Sequence, residues 1–437
     1  MNISRALRLD NSPTLAGSIA FVGAGGKTTA MFQLARELGT RVIVTATTHL
    51  GAWQIPLADR HVIAESPAEV GEIPDGVTLV TGKIVEDRTS PVNPSVLYWL
   101  HEDVKNSRIP LLIEADGARQ KPLKAPAAHE PPIPDFVGTV VVVAGLSGLG
   151  KPLSEAVFRE EEFGRVSEAT RQRVTAEMVT RVLMQREGGL KNIPEGARRV
   201  ALLNQADTPE LQAAAQKMGS ELLKKFDAVV VASLKENKVW ATYENITGII
   251  LAAGESKRFG KPKQLLDWNG KSFVKQVAET ALSAGLRPVI VVTGANAEEV
   301  ENALAGLDVK LVRNEAWKSG QASSIVAGVK SLPQNIGASF FLLADQPQIG
   351  ADVIHALREV HAQRLSPIIA PLVMEERRAN PVLFDRVTFP DLLTLTGDVG
   401  GRAIFDKHKV EYLPWYNSEL LMDVDSPSDY ERLMRQP

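Results

Sequence analysis

The chain has 437 residues, more than one hydrophobic core usually supports, and its 44% hydrophobic and 23% charged residues are typical of globular domains. Its formal net charge of -3 gives no general attraction to nucleic acid or anionic membranes, and no run of eighteen apolar residues occurs. The lack of cysteine excludes disulfides, thiolate metal sites and thiol catalysis. We therefore expect at least two domains, a cytoplasmic location, and no nucleic-acid or membrane partner.

Short apolar runs typical of buried parallel strands alternate with helical stretches in the first half of the chain. They lie at 18–23, 41–47, 110–116, 139–145, 199–204 and 228–233. This alternation predicts βαβ units wound on both faces of one sheet. The Pro-rich segment 121–135 predicts a surface loop, with a lid as the alternative. The segment 234–245 has no strong period and indicates a domain boundary near residue 243.

The first strand run leads into a glycine-rich turn and a helix, AFVGAGGKTTAMF at 20–32. Amides of such a turn cradle phosphates, and Lys-Thr at the helix start brings an ammonium group and a hydroxyl to a phosphate and its Mg²⁺. Phe21 stands where the usual P-loop has its first glycine, so the turn resembles the shorter GTxGKT loop of Mur ligases. The predicted nucleotide-binding residues are Gly23, Gly25, Gly26, Lys27 and Thr28, with Thr28 also a metal ligand.

Two later strand ends of this half carry polar candidates. In LLIEADG at 111–117, Glu114 and Asp116 are candidates for binding Mg²⁺ or positioning water, with a loop cap as the alternative. LLNQAD at 202–207 resembles the NKxD segment by which GTPases read guanine, with Gln205 in place of Lys. Asn204 and Asp207 are therefore candidate nucleotide-binding residues. Both residue types are also common in turns after a strand, and the sequence slightly favours this structural interpretation.

The second half restarts the alternation, with strand runs at 246–254, 287–294, 338–345 and 366–373. The first of them enters the segment LAAGESKRFGKPKQLL, which begins at Leu251. Its turn amides form an anion-binding concavity, and two basic side chains downstream can neutralise a polyphosphate. A tight turn with solvated basic residues is the alternative. The predicted phosphate-binding residues are Ala252, Ala253, Gly254, Arg258 and Lys263.

Two aspartates are predicted to hold a metal ion. Asp345 follows an uncharged strand, and the carboxyl ends of parallel strands face the ligand crevice of an open sheet. Asp425 follows an apolar stretch and precedes a helix that Ser426-Pro427 predicts, so a helix cap is its alternative. Because Mg²⁺ usually takes one or two carboxylates and fills its shell with water and phosphate, two single aspartates suit it.

A third set of candidates follows Gly320, where a helix is predicted to begin. Gln321, Ser323 and Ser324 would lie near free helix amides that favour an anionic substrate group. An ordinary helix cap is the alternative.

Several ordered segments of the second half resemble the molybdenum cofactor cytidylyltransferase family over 246–437. They are LAAGESKRFGKPKQLL, NEAWKSGQASSIVAG, LLADQPQI, NPVLF, TGDVGGRA and DVDSPSDY. The resemblance implies transfer of CMP from CTP to molybdopterin cofactor, giving molybdopterin cytosine dinucleotide and pyrophosphate. It implies Mg²⁺ at Asp345 and Asp425, and catalytic phosphate neutralisation by Arg258 and Lys263. Asn380 departs from the family, which often has His there.

The first half resembles the YqeC-like family over about residues 15–235, through GAGGKTT, TATTHL, EADGARQKPLKAP, VAGLSGLGKPL and LNQAD. That family is described as accessory to selenium-dependent molybdenum hydroxylases, so the resemblance implies such an enzyme as recipient. Our hypothesis is an α/β chain of two doubly wound three-layer α/β/α domains. A P-loop-like domain, 1–243, binds and hydrolyses ATP or GTP in a linked step, and a Rossmann-like nucleotidyltransferase domain, 244–437, makes the dinucleotide.

The choice of CTP rests on Ala253, because guanylyl-transferring relatives tend to have glycine there and a methyl group can crowd a purine. GTP and ATP stay open as donors, and a sugar or polyol phosphate as acceptor. A cofactor carrier or insertion chaperone with NTP-driven switching is the alternative of a different class. The combination of basic residues and aspartates argues against a purely binding role.

Overall fold

The computed structural model describes residues 1–9, 17–39, 41–168, 172–256 and 259–435, without the side chains of residues 104 and 105. The chain divides into two compact units, Met1–Tyr243 and Glu244–Pro437. Across the described stretches, every helix is too short or too polar to cross a membrane.

The first unit is built on a mainly parallel sheet. Its strands are β1 (Ser18–Gly23), β2 (Arg41–Ala46), β3 (Arg60–Ile63), β4 (Gly76–Thr81), β5 (Ile84–Val85), β6 (Arg88–Thr89), β7 (Leu111–Glu114), β8 (Leu123–Lys124), β9 (Thr139–Gly145), β10 (Val157–Phe158), β11 (Arg198–Asn204), β12 (Ala228–Ser233) and β13 (Lys238–Glu244). The main sheet has the order β13-β12-β11-β9-β1-β7-β2-β4-β3. Because β1 pairs in parallel with β7 and β9, the loops after these three strands share one edge.

Helices cover both faces of this sheet. They are α1 (Ile3–Ala6), α2 (Lys27–Leu38), α3 (Pro94–Ser107), α4 (Leu153–Ala156), α5 (Glu160–Ser167), α6 (Ala176–Met184) and α7 (Pro209–Leu222). Successive residues of β1 alternate between two cores: Ile19 and Phe21 join the core under α2, whereas Ala20 and Val22 join the core under α3, α6 and α7. Thr208 caps α7 through its side chain, and Pro209 occupies the first helical position, where its missing N–H costs nothing.

The second unit has a mixed sheet. Its strands are β14 (Ile246–Ala252), β15 (Asp267–Trp268), β16 (Lys271–Ser272), β17 (Val289–Thr293), β18 (Val309–Arg313), β19 (Ala338–Leu343), β20 (Ile368–Val373), β21 (Arg377–Arg378), β22 (Val382–Asp385) and β23 (Val410–Trp415). The sheet order is β18-β17-β14-β19-β22-β20-β21, with β23 beside β20. β14 runs parallel to β17 and β19, whereas β22 runs antiparallel to β19 and β20.

The helices of this unit again form layers on both faces. They are α8 (Phe273–Ser283), α9 (Ala297–Ala303), α10 (Gln321–Lys330), α11 (Ala351–Arg364), α12 (Phe389–Leu392) and α13 (Pro427–Met434). Phe340 and Leu342 of β19 join the core under α8 and α11, and Phe341 joins the core under α10. Two large, mainly parallel sheets with helices on both faces confirm the predicted α/β class.

Residues 234–245, where the sequence indicates a domain boundary, contain the edge strand β13, in which Val239, Ala241 and Thr242 are buried. The prediction for a second segment is wrong. Residues 121–135 are more than a surface loop: the short strand β8 pairs with β10, and Lys124 and Glu130 are buried. Polar composition misled this assignment, because a buried ion pair accepts charged side chains.

Candidate functional site

A cleft of the second unit opens at the carboxyl ends of β14 and β19. Because these strands pair in parallel, the turn after Ala252 and the loop carrying Asp345 meet at one edge of the sheet. The cleft is open to solvent and has a volume of about 690 Å³. It is lined by the predicted residues Ala252, Ala253, Gly254, Lys263, Gln321, Ser324 and Asp345.

The side chain of Lys263 joins the two predicted metal-binding aspartates. Its Nζ lies 2.7 Å from Asp425 Oδ1 and 3.4 Å from Asp345 Oδ2. Lys263 is only 12% exposed, whereas Asp345 is 36% and Asp425 68% exposed. The two aspartates offer carboxylate oxygens, the ligands that Mg²⁺ takes in small number while water and phosphate complete its shell, and here both are paired with Lys263. The structure therefore brings together three of the residues that the sequence singles out.

The surroundings shift the pKa values of two of these groups in the same direction. Burial in the cleft floor raises the pKa of Asp345; Lys263 opposes the shift and Asp423 adds to it. Burial lowers the pKa of Lys263, but the hydrogen bond with Asp425 and the charges of both aspartates outweigh it, so its pKa is raised. Lys263 is thus a permanent cation at neutral pH.

The glycine loop is closed by a residue that the sequence did not single out. Gln264 is buried and donates from Nε2 to Gly254 O at 3.1 Å, and it accepts from Ser256 Oγ at 3.3 Å. Ser256 Oγ in turn accepts from Lys263 N at 3.1 Å. These bonds fix the loop against the turn that carries Lys263. Arg258, predicted to neutralise phosphate, lies outside the described residues.

Helix α10 begins at Gln321 after Gly320, as predicted, but its first amides are not free. Gln321 N donates to Asp398 Oδ1 at 3.3 Å, and Ala322 N donates to Gly397 O at 3.2 Å. A neighbouring loop therefore takes the position expected for an anionic substrate group. The expectation of free amides is wrong because only the fold reveals that the 397–398 turn covers this helix end.

The predicted serines of α10 share a partner that sequence reasoning missed. Asn314 Nδ2 donates to Ser323 Oγ at 2.8 Å and to Ser324 Oγ at 3.0 Å. Asn314 is itself buried and accepts from Ala316 N. Ser323 also donates to Gly320 O at 2.8 Å, so its hydroxyl is engaged in the helix start. A single asparagine in a loop gives no sequence signal for this role.

The segment carrying Asp425 is anchored to the loop carrying Asp345. Gln346 Nε2 donates to Asp423 Oδ1 at 2.5 Å, and Asn380 Nδ2 donates to Gln346 Oε1 at 3.1 Å. The predicted helix α13 starts after Asp425, and its cap is Ser426 rather than Asp425. The Asp425 carboxylate is therefore not used as a helix cap. Asn380, the departure from the family pattern, acts here through its amide.

The first unit places its glycine-rich turn between β1 and α2, against neighbouring backbone. Gly25 has φ +90°, and a Cβ on it would lie 2.4 Å from Gly145 N; Gly26 has φ +119°, and its Cβ would lie 2.4 Å from Asn204 Nδ2. Only glycine fits these two positions. Asn204 Nδ2 also donates to Gly25 O at 2.8 Å, and its Oδ1 accepts from Leu234 N. Asp207 is exposed in the turn that follows β11.

Lys27 at the start of α2 is buried among carboxylates. Its Nζ lies 3.2 Å from Asp116 Oδ1 and 3.9 Å from Glu114 Oε1, and it donates to Gly23 O at 2.7 Å. Burial lowers the pKa of Lys27, but the charges of Asp116 and Glu114 outweigh it and raise the pKa. Asp116 Oδ2 accepts from Gly23 N at 3.0 Å. The phosphate-loop lysine and the strand-end carboxylates thus form one cluster.

Thr28 joins this cluster through its hydroxyl. It donates to Glu114 Oε2 at 2.7 Å and accepts from Gln54 Nε2 at 2.9 Å. Gln54 is buried and was missed by sequence reasoning, because it lies in a short 3₁₀ helix without a motif.

The burial of Glu114 in this cluster can be tested through the pH dependence of the melting temperature. Burial raises its pKa above the usual value of about 4.3, although Lys27 and Thr28 oppose the shift. A carboxyl whose folded pKa is raised contributes stability below its unfolded pKa and loses it as the pH rises through the folded pKa. We expect Glu114→Gln to raise the melting temperature of the first unit at pH 8, by about 2–4 °C per kcal/mol regained, and to change little at pH 4. Calorimetry at both pH values, with exposed Glu161→Gln as control, checks this. An equal shift at both pH values would contradict it.

The sheet of the second unit, with a cleft at its strand ends beside a glycine loop, has the architecture of a nucleotidyltransferase with a Rossmann-like fold. A model of the MobA-like NTP transferase domain matches residues 248–412, and a model of the YqeC protein matches residues 19–161. The chain belongs to the MobA-like NTP transferase family in its C-terminal part and to the YqeC family in its N-terminal part.

Three relatives illustrate these likenesses. Nicotine blue oxidoreductase of Paenarthrobacter nicotinovorans is 32% identical over 43% of this chain and 96% of that protein. The protein YqeC of Escherichia coli is 34% identical over 43% of this chain and 75% of that protein. Molybdenum cofactor cytidylyltransferase of Escherichia coli is 25% identical over 42% of this chain and 92% of that protein.

Proposed function

We propose that the second unit transfers CMP from CTP to the terminal phosphate of molybdopterin cofactor, forming molybdopterin cytosine dinucleotide and pyrophosphate. The observation that supports this most is Lys263 between Asp345 and Asp425, beside the glycine loop. The similarity to molybdenum cofactor cytidylyltransferase supports molybdopterin cofactor as the acceptor and cytosine as the base of the nucleotide. Another relative is named for an oxidoreductase, but a lysine between two carboxylates suits transfer at phosphorus.

In the proposed reaction, an oxygen of the acceptor phosphate attacks the α-phosphorus of CTP, and the bond to the bridging oxygen of the β-phosphate breaks. Amides at Ala253 and Gly254 orient the phosphate chain, and the ammonium group of Lys263 neutralises its charge. Asp345 and Asp425 would hold Mg²⁺, whose charge stabilises the leaving pyrophosphate. The side chains otherwise act by position and charge, and no covalent enzyme intermediate is needed.

For the first unit, we propose a nucleoside triphosphate site at Lys27 and Thr28, with hydrolysis linked to delivery of the cofactor to a molybdenum hydroxylase. The support is the cluster of Lys27 with Asp116 and Glu114 below the glycine turn.

The central experiment incubates the full chain with Mg²⁺, each nucleoside triphosphate in turn, and either molybdopterin cofactor or a sugar phosphate as acceptor. Pyrophosphate and the dinucleotide are then measured together. We expect both products with CTP. Binding of cofactor without pyrophosphate from any nucleotide would favour a carrier, and pyrophosphate only with a sugar phosphate would change the acceptor.

The methyl group of Ala253 is the proposed basis of the preference for CTP. It lines the cleft, and a Cβ built on Gly294 would meet it at 2.8 Å, so this corner has little spare space. We expect Ala253→Gly to raise the ratio of GTP to CTP turnover about 10- to 100-fold, because a purine gains room. The measurement is kcat/KM for both nucleotides, with Ala344→Gly across the cleft as the matched control. An unchanged ratio would remove Ala253 from base selection.

The raised pKa of Asp345 predicts the acid side of the pH profile. Asp345 must be ionised to hold a cation, so activity rises with pH as this carboxyl loses its proton. We expect kcat/KM at limiting Mg²⁺ to fall on acidification at a pH above about 3.9, the usual value for aspartate. Saturating Mg²⁺ should move this limb to lower pH, because the cation competes with the proton. If the pH at which activity falls did not depend on the Mg²⁺ concentration, Asp345 would not be the metal ligand.

A further inference from the structure

Three cationic side chains of the first unit surround one phenylalanine ring. Strands β8 and β10 pair in parallel, which sets Lys124 opposite Phe158. The Cζ atoms of Arg159 and Arg119 lie 5.0 and 5.4 Å from the ring centroid of Phe158, and Lys124 Nζ lies 5.8 Å away. Contact with an aromatic ring stabilises a cation without neutralising its charge. This arrangement therefore gathers positive charge at one place.

The three cations differ in how far they are neutralised. Lys124 is fully engaged, at 2.9 Å from Asp116 Oδ2, 2.8 Å from Glu130 Oε2 and 2.8 Å from Gly117 O. Arg159 reaches Glu130 through one terminal nitrogen at 2.9 Å, while its buried Nε makes no hydrogen bond to any described residue. A buried N–H without an acceptor is unfavourable, and a ligand oxygen would relieve it.

Arg119 is exposed, and among the described residues its guanidinium makes no hydrogen bond or ion pair, only the contact with Phe158. The cluster as a whole holds one more cation than carboxylates. Its cations are Lys27, Lys124, Arg119 and Arg159, and its carboxylates are Glu114, Asp116 and Glu130.

The backbone holds both arginines in the left-handed region, which residues other than glycine and asparagine seldom adopt. Arg119 has φ +46°, the adjacent Gln120 has φ +61°, and Arg159 has φ +66°. Such residues persist where the surrounding structure fixes them, and they concentrate at ligand sites. Here they present two guanidinium groups to the same ring.

The cations also lie close to the phosphate loop. Lys124 and Lys27 contact the two oxygens of one carboxylate, Asp116, at 2.9 and 3.2 Å. Asp116 and Lys124 line one cavity together with Gly23 of the loop. A chain of ion pairs therefore connects Arg159 to the phosphate loop, through Glu130, Lys124 and Asp116 to Lys27.

We propose that Arg119 and Arg159 form an anion-binding subsite for the phosphate group of a second ligand, a phosphate monoester, beside the phosphate loop. Two guanidinium groups match the double charge of a phosphate monoester better than the single charge of a carboxylate. The first unit then holds two phosphate-bearing ligands side by side. The subsite stands independently of whether the neighbouring loop binds or hydrolyses a nucleotide.

The test is hydrogen–deuterium exchange of the full chain, read on peptides that cover 117–124 and 157–167. The probes are inorganic phosphate and glycerol 2-phosphate, with acetate at equal ionic strength as the carboxylate control. We expect both phosphates to slow exchange in both peptides, and acetate to have no effect. Arg119→Gln and Arg159→Gln should each raise the phosphate concentration needed for half of the full protection about tenfold. Arg165→Gln, in helix α5 directly after Arg159 but paired with Glu187, is the matched control.

Lys27→Ala separates this subsite from the nucleotide site. Protection that survives Lys27→Ala supports the subsite even if nucleotide binding is lost. Protection that disappears with Lys27→Ala and persists with Arg119→Gln would place the phosphate in the loop and overturn the proposal. Protection by inorganic phosphate alone would overturn the monoester assignment and indicate a site for phosphate released by hydrolysis.

Discussion

Asp345→Asn is expected to lower kcat for nucleotidyl transfer at least about 1000-fold, which corresponds to ~4 kcal/mol of lost stabilisation of the transition state. The substitution keeps the shape of the side chain and removes the charge that would hold Mg²⁺ in the cleft. Lys263 keeps its partner Asp425 at 2.7 Å, so the cleft retains one of its ion pairs. The measurement is pyrophosphate release under saturating nucleotide and Mg²⁺.

The substitution is expected to leave the fold intact, because burial already disfavours the charge of Asp345. We expect the melting temperature of Asp345→Asn to equal or exceed that of the parent chain. Asp352→Asn, an exposed aspartate in the first turn of α11, is the matched control and should keep full activity. Full turnover by Asp345→Asn would show that the metal assignment is wrong even if the reaction is confirmed.

The residues that sequence analysis found at this cleft share one property: each stands at the end of a strand run or in a turn with a spaced motif. Asp345 and the turn at Gly254 follow from the rule that parallel strands end at one edge. The position of Lys263 between the two aspartates does not follow from spacing. Its distances of 2.7 and 3.4 Å join segments more than 80 positions apart in the chain.

The residues that sequence analysis missed are supporting amides. Gln264 and Asn314 hold loops and helix starts, and Gln346 joins two segments through Asp423. A neutral amide serves as well in a solvent-exposed turn as in a buried network, so its sequence context carries no distinguishing signal. The covered start of α10 was missed for a related reason, because a loop more than seventy positions away supplies Asp398.

In the first unit, motif analysis found Lys27 and Asp116 but not the charges beyond them. Lys124 and Glu130 lie in a Pro-rich segment whose polar composition predicts exposure, yet both are buried as partners. Ion pairing removes the cost that normally keeps such residues at the surface, and only the packed structure shows which charges are paired.

Lys27→Met is expected to have two separable effects on the first unit. Nucleotide affinity should fall about 100-fold, because a charge-assisted contact to the phosphates is lost. Stability should fall by about 3 kcal/mol, because Asp116 and Glu114 lose a buried cation. Asp116 keeps Lys124 at 2.9 Å, which places the loss at the lower end of the range for broken buried pairs. Calorimetry and nucleotide titration of the same samples give both quantities.

The double variant Lys27→Met with Glu114→Gln distinguishes the structural from the functional role of the lysine. Glu114→Gln removes one of the two carboxylates that Lys27→Met leaves without this cation, so part of the lost stability should return. The effects of the two substitutions on the free energy of unfolding should therefore be non-additive. Nucleotide affinity should stay as low as in Lys27→Met, since no cation is restored at the loop. If affinity recovered together with stability, Lys27 would act on the nucleotide only by keeping the loop folded. Lys224→Met, which breaks only an exposed pair with Glu221, should change neither quantity.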